Sequence, residues 1–220
     1  MDIKVTKLTN EDLLHKVNSF TTGKESKQSL KDAYRYRHST IRTQIFLVEC
    51  YGIPQYVAYH LRTHFSLYMM APMEYGWMKS KRIDRGGSDF RDVCNSLANR
   101  LVSAYNDADT EKHRDASMSV RKLPDEYDRY ASTDFGFMIS AEGLMTMADK
   151  RLCVGAVSKE TREVVEIICN RVKDCDPNLY PHLVKPCVAT GICRECKCCG
   201  FIRSDLFAKI RANYKKLFVE

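Results

Sequence analysis

The chain has 220 residues, of which 44% are hydrophobic and 29% charged, with ten cysteines and a formal net charge of +7. These are the values of an ordinary soluble globular protein with room for a real core, and no apolar run approaches the length that crosses a bilayer. The N-terminal MDIKVTKLTNEDLL lacks the basic-then-apolar order of a secretory signal, so a cytoplasmic protein with reduced or metal-bound cysteines is expected, and the positive charge suggests anionic ligands.

In chain order, residues 2–8 alternate apolar and polar side chains and predict a first strand. Asn10 is placed to cap a helix that carries Glu11 and Asp12 in its first turn. Thr21-Thr22-Gly23 breaks that helix, and a second is expected over residues 27–36. Residues 38–82 form the stretch around which the rest is organised. Gln44 to Cys50 has the length and composition of a buried strand, which Gly52 should end. Pro54 suits the first turn of a helix continuing to His64, with His60 and His64 on one face and Arg62 nearly opposite. The His spacing is compatible with a metal, but no third ligand stands nearby. Ordinary hydrogen-bonded histidines and a pair facing a ligand are the readings that remain.

Further on, Phe90, Val93, Cys94, Leu97, Leu101 and Tyr105 recur at helical spacing over residues 89–107. Residues 135–140 read as a short strand. Residues 141–151 and 158–175 read as two helices, stopped by Asp176-Pro177. Residues 204–218 predict a C-terminal amphipathic helix with Leu206, Phe207, Ile210, Tyr214 and Leu217 on one face. There is no internal repeat and no linker that demands two domains, so residues 1–220 are read as one domain of the α/β or α+β class. The positive charge is spread along the chain rather than gathered into an arm for DNA.

Residues 187–200, CVATGICRECKCCG, are rich in thiols. Cys193-x-x-Cys196 has zinc-ligand spacing, and Cys187, Cys198, Cys199 and His182 are available to complete a site. Cys187, Cys193, Cys196 and Cys199 are the zinc candidates; the other readings are a reduced structural loop or a redox pair.

Three separated pieces together resemble the flavin-dependent thymidylate synthases, the ThyX family, in a divergent form of the virus or phage type. The first runs from His38-Ser39-Thr40 through a strand and a Pro-started helix to His64, the middle of the family's Arg-His-Arg signature. The second is Arg121-Lys122-Leu123-Pro124. The third runs from Ser140 through Arg151 to Thr161-Arg162-Glu163, and the Pro186-Cys187-Val188 and Cys199-Gly200 segment is also similar to some members.

The resemblance implies a central, mostly antiparallel sheet flanked by helices, in a homotetramer whose active sites are shared between subunits. It also implies transfer of a one-carbon unit from methylenetetrahydrofolate to C5 of dUMP, with reduction by FAD that NADPH has reduced. On that basis Ser80 and Arg151 are the catalytic candidates. His60, Arg82, Arg121 and Arg151 are the candidates for the nucleotide, and His38, Thr40 and His64 for the flavin or folate.

The sequence also departs from the family. Thr63 and Phe65 stand at the two signature arginines, Thr43 replaces a Glu, and Ser140, Glu142, Thr146 and Gly155 occupy usual FAD-contacting positions. These departures raise a second reading, a flavin-poor relative that hydroxymethylates or alkylates dUMP or dCMP for modified viral DNA, working in the host cytoplasm. A catalytically silent relative and a zinc-containing nucleic-acid-binding protein are the remaining alternatives.

Overall fold

The apolar alternation of the strands builds one antiparallel sheet, seen in a computed structural model that describes residues 1–67, 75–78, 99, 132–155, 157–196 and 198–218. Its strands are β1 (Asp2–Lys7), β2 (Ile45–Pro54), β3 (Tyr75–Met78) and β4 (Ser132–Ser140), in the order β1-β2-β4-β3. The pairing β2 to β4 aligns Phe46 with Ile139, Val48 with Phe137 and Cys50 with Phe135. β1 extends the same row, with Ile3 opposite Cys50 and Val5 opposite Val48. Apolar cross-strand partners thus form one continuous buried face. Against it lie α3 (Gln55–Leu67), which touches β2, β3 and β4, and α5 (Lys159–Cys175), which touches β1 and β2; the two helices also touch each other. Val164, Val165, Ile168, Cys169 and Val172 are the buried stripe of α5.

The other helices among the described residues are α1 (Glu11–Thr22), α2 (Leu30–Arg35), α4 (Ala141–Arg151), α6 (Pro186–Thr190) and α7 (Asp205–Lys215), with short 3-10 turns at Ser39–Thr43, Tyr180–His182, Phe201–Arg203 and Lys216–Phe218. Ser29, Ser140, Ser158 and Ser204 each cap a following helix by accepting a backbone N–H. α1 ends where expected, on Gly23 in the left-handed conformation.

Four details differ from the sequence expectations. Asn10 stands at the N-cap of α1, but its amide donates to the Asp12 carboxylate (2.8 Å) instead of capping a backbone N–H. α2 begins only at Leu30, because the cap is Ser29, whose Oγ accepts from the Asp32 N–H. Gly52 does not end β2. It sits with φ +68° inside a bulge between Cys50 and Ile53, its N–H held by the Asp134 carboxylate (3.1 Å), and the strand resumes to Pro54. Pro54 is therefore the last residue of the strand, and the helix starts one residue later. The helix expected over 89–107 lies outside the described residues.

The C-terminal helix forms, yet its apolar face is incompletely covered: Leu206 is 59% and Ile210 36% exposed. Together with Leu152, Cys169, Val188 and Phe201 they line a cavity of about 340 Å³.

Candidate active site

The sheet sets α3 beside the start of α5 and the end of α4, and a side chain from each of those two helices reaches His60 there. The Arg151 guanidinium, from the last turn of α4, donates to the backbone carbonyl of His60 on α3 (3.4 Å). The His60 Nδ1 lies 3.3 Å from the Thr161 hydroxyl at the first turn of α5. Thr161 is itself fully buried and fixed by Ser158, which caps its N–H (3.3 Å) and donates to its hydroxyl (2.9 Å). Tyr56, one helical turn before His60, stands edge-on to the imidazole with centroids 5.5 Å apart. Its hydroxyl donates to the Glu160 carboxylate (2.6 Å) and lies 3.3 Å from Ser158 Oγ. That bond holds the Glu160 carboxyl below its usual range, with help from backbone N–H donation and Lys159.

This group gives an imidazole held at Nδ1 by Thr161, on a residue whose backbone carbonyl accepts from the Arg151 guanidinium. Such an arrangement suits an anionic, planar ligand, since Arg can grip a phosphate or carbonyl through two N–H groups at once. Sequence reading singled out His60 and Arg151 and missed Tyr56, Ser158 and Glu160. The Ser158-x-x-Thr161 capping pattern was the only signal for them, and it marks a helix start rather than a site.

His38 and Thr40 form a second group on the 3-10 turn ahead of β2. The His38 Nδ1 is 2.9 Å from the Thr40 hydroxyl, and Thr40 is buried while the His38 ring is exposed. The same turn is tied to α4 by an ion pair from Arg42 to Glu142, and Arg37 bonds Asp149 (3.0 Å). Glu142 is thereby engaged with Arg42, and the Ser140 hydroxyl is engaged in capping Gly143 (3.1 Å). Both occupy positions where the family resemblance would set flavin-contacting Asn and Arg. His64 falls within α3, with its side chain outside the described residues; Ser80, Arg82 and Arg121 lie outside them altogether.

The zinc candidates Cys187, Cys193, Cys196 and Cys199 are all free thiols. Among the described residues no three His, Cys, Asp or Glu side chains are gathered as a metal would require. His182 faces elsewhere, edge-on to Tyr214 and Phe218, and burial with the nearby Arg37 cation pushes its imidazole down to about 4.

No model of a known protein family matches the sequence, nor does any curated protein sequence. Among solved structures the fold is similar to thymidylate synthase X (ThyX) from Helicobacter pylori, crystallised with FAD and dUMP. The TM-score is 0.52 at 16% identity, over 84% of this chain and 99% of that one. A second structure of that protein, also with FAD and dUMP, gives 0.51 at 16% identity, over 83% and 100%. The chain therefore has a ThyX-like fold, a small antiparallel sheet with helices packed on it. No helix among the described residues is long and apolar enough to cross a membrane.

Proposed function

We propose that the protein is a thymidylate synthase of the ThyX type, transferring a one-carbon unit from methylenetetrahydrofolate to C5 of dUMP and forming dTMP. The observation that carries this reading is the meeting of His60 and Arg151 at the junction of α3, α4 and α5, in a fold shared with a protein crystallised with dUMP. For C5 to act as a nucleophile, negative charge must be stabilised on the pyrimidine carbonyls and N3, and fixed donors do this without reorganising during the reaction. In this reading Arg151 donates to that charge or to the 5′-phosphate, and His60 orients the nucleotide. Ser80, Arg82 and Arg121 complete the proposed set.

The His38–Thr40 pair suits a flat cofactor. Thr40 holds one edge of the imidazole, and the exposed ring is free to stack or donate. Bound FAD would supply the hydride that reduces the one-carbon unit, NADPH would restore it, and His64 would lie beside it. By the same reading the chain works as a homotetramer whose sites are shared between subunits, as the family resemblance implies.

A second reading is favoured by Glu142 and Ser140, both engaged within the fold, and by Thr63 and Phe65 at the signature positions: a flavin-poor relative, of the kind viruses or phages carry, that leaves a hydroxymethyl group on dUMP or dCMP. The test is a visible absorption spectrum with added FAD, followed by release of the C5 hydrogen from labelled dUMP and dCMP. Bound flavin with release from dUMP supports the first reading. Folate-dependent release without flavin supports the second, and no release from either nucleotide rejects both. Arg151→Ala should weaken dUMP binding by roughly 10- to 100-fold, the worth of a hydrogen bond to a charged group, measured by titration calorimetry with circular dichroism as the folding control.

A further inference from the structure

The first half of α7 stands over a cavity that the proposed nucleotide site does not use. Its floor is buried and apolar: Leu152 just beyond α4, Cys169 from α5, and Leu183 and Val188 from the chain that follows. Its outer wall is Phe201, Leu206 and Ile210, the last two being the exposed side chains that leave α7 incompletely covered. Anchors further along α7 set this spacing. The Arg211 guanidinium donates to the Val188 carbonyl and lies against Gly191, where a Cβ would stand 2.9 Å from its Nη2. Beyond the helix, Arg35 donates to the Phe218 carbonyl, and the Phe218 ring stands edge-on to His182. Held in this way, α7 keeps Leu206 and Ile210 above the floor. The space between, about 340 Å³, has the size of a small-ligand pocket.

The rim decides the chemistry. Its polar side chains are Glu166, Asn170, Tyr180 and Lys185. The Glu166 carboxylate is offset by Arg162, one turn earlier on α5 (3.7 Å). The Asn170 side-chain oxygen accepts from the Tyr180 hydroxyl (3.4 Å), which leaves the Asn170 N–H groups as donors. Lys185 sets its ammonium over the Phe201 ring, 4.5 Å from the centroid, and pairs with no carboxylate among the described residues. Phe201 is in turn held edge-on by Phe207, with centroids 5.6 Å apart. An apolar hollow thus opens beside a cation and amide donors, and its complement is a molecule with an apolar body and one negative charge. We propose that this cavity binds a free medium-chain monocarboxylate, its alkyl chain over Leu152, Leu183 and Val188 and its carboxylate on Lys185. Burial of the chain supplies affinity, and the charged hydrogen bond at the rim fixes orientation. The alcohol of the same length would bury the same surface but leave the ammonium without an anion, and the amine would set two cations together.

The experiment titrates octanoate into the full chain by calorimetry, with octanol and octylamine as the neutral and cationic molecules of the same length. One octanoate should bind per chain, roughly tenfold more tightly than either control, the worth of a hydrogen bond to a charged group. Lys185→Gln should remove that preference and leave octanol binding unchanged. Ile210→Trp, which puts an indole into the cavity from an exposed position, should abolish octanoate binding, with circular dichroism as the folding control. Equal binding of the three molecules overturns the proposal, and so does no binding of octanoate or binding that Ile210→Trp leaves intact. Dimerisation of the chain that Leu206→Asp abolishes would assign this face to a second copy and overturn it as well. No nucleotide or flavin enters the titration, so it stands or falls separately from the thymidylate reading.

Discussion

Asp176 ties three parts of the chain through one buried carboxylate. Its Oδ2 accepts from Lys7 Nζ on β1 (2.6 Å) and from the Tyr34 hydroxyl on α2 (2.7 Å), while Oδ1 accepts the Leu179 N–H just beyond α5 (3.0 Å). Burial and the Asp176 charge push the Tyr34 phenol far up, so it remains a donor at any ordinary pH. Asp176→Ala would leave Lys7 and Tyr34 without their acceptor and should cost about 3–5 kcal/mol. Tyr34→Phe, which removes one bond to a charged acceptor, should cost about 2 kcal/mol. Urea denaturation measures both.

His182 is the pH-sensitive residue of the same region. Its folded value of about 4 lies below the 6.5 of a free imidazole, so the unfolded chain takes up the proton first as pH falls. Its contribution is complete above pH 6.5 and is lost between 6.5 and 4, roughly 3 kcal/mol in all. Replacing it in His182→Phe, with Arg37, Tyr214 and Phe218 left in place, should flatten that part of the stability-against-pH curve.

At the scale of elements, the cap of α5 does two jobs. Ser158 satisfies the Thr161 N–H and also steers the Thr161 hydroxyl that meets His60. Ser158→Ala should cost about 1 kcal/mol in stability, the usual worth of an N-cap. If His60 orients the nucleotide, the same change should also weaken dUMP binding several-fold, a loss that calorimetry separates from the change in melting temperature. β1, β2, β4 and the long helices were legible because their signals are local: alternation in β1, a 3.6-residue apolar stripe in α5, serine caps and stop signals at the ends. β3 was not: Tyr75–Met78 was expected to lie in a Met- and aromatic-rich loop, and its pairing with β4 makes it a strand. The bulge at Gly52 was not, because it is decided by pairing with β4 and by Asp134, residues remote in sequence. The Tyr56–Glu160 bond was hidden for the same reason. His60 was singled out by its helical spacing from His64, but Arg151 only through the family resemblance, since nothing in their own neighbourhoods says that a carbonyl on α3 will meet a guanidinium on α4.

For the whole molecule, metal dependence is open to a direct test, since among the described residues no three His, Cys, Asp or Glu side chains are gathered. Dialysis against a strong chelator should leave the melting temperature unchanged. A drop of more than a few degrees would revive the zinc-containing nucleic-acid-binding reading, whose binding would also weaken steeply with salt. The free thiols at residues 187–199 would then have to rearrange to hold the ion.

The central pairing of the sheet has a consequence in time rather than in space. β2 and β4 are neighbours in the sheet, yet Ile45 pairs with Ser140, roughly a hundred positions further along the chain. Closing so long a loop must precede most of the contacts that reward it, which makes for slow folding. During synthesis β1, β2 and α3 emerge well before the strand that completes their sheet. Until β4 arrives, the Phe46–Val48 face of β2 has no partner on that side, and His60 waits for Arg151 and Thr161 on helices that follow it. The newborn chain therefore passes through a long interval with an open sheet edge, the period in which it most needs a chaperone and is most exposed to mispairing with another copy of itself.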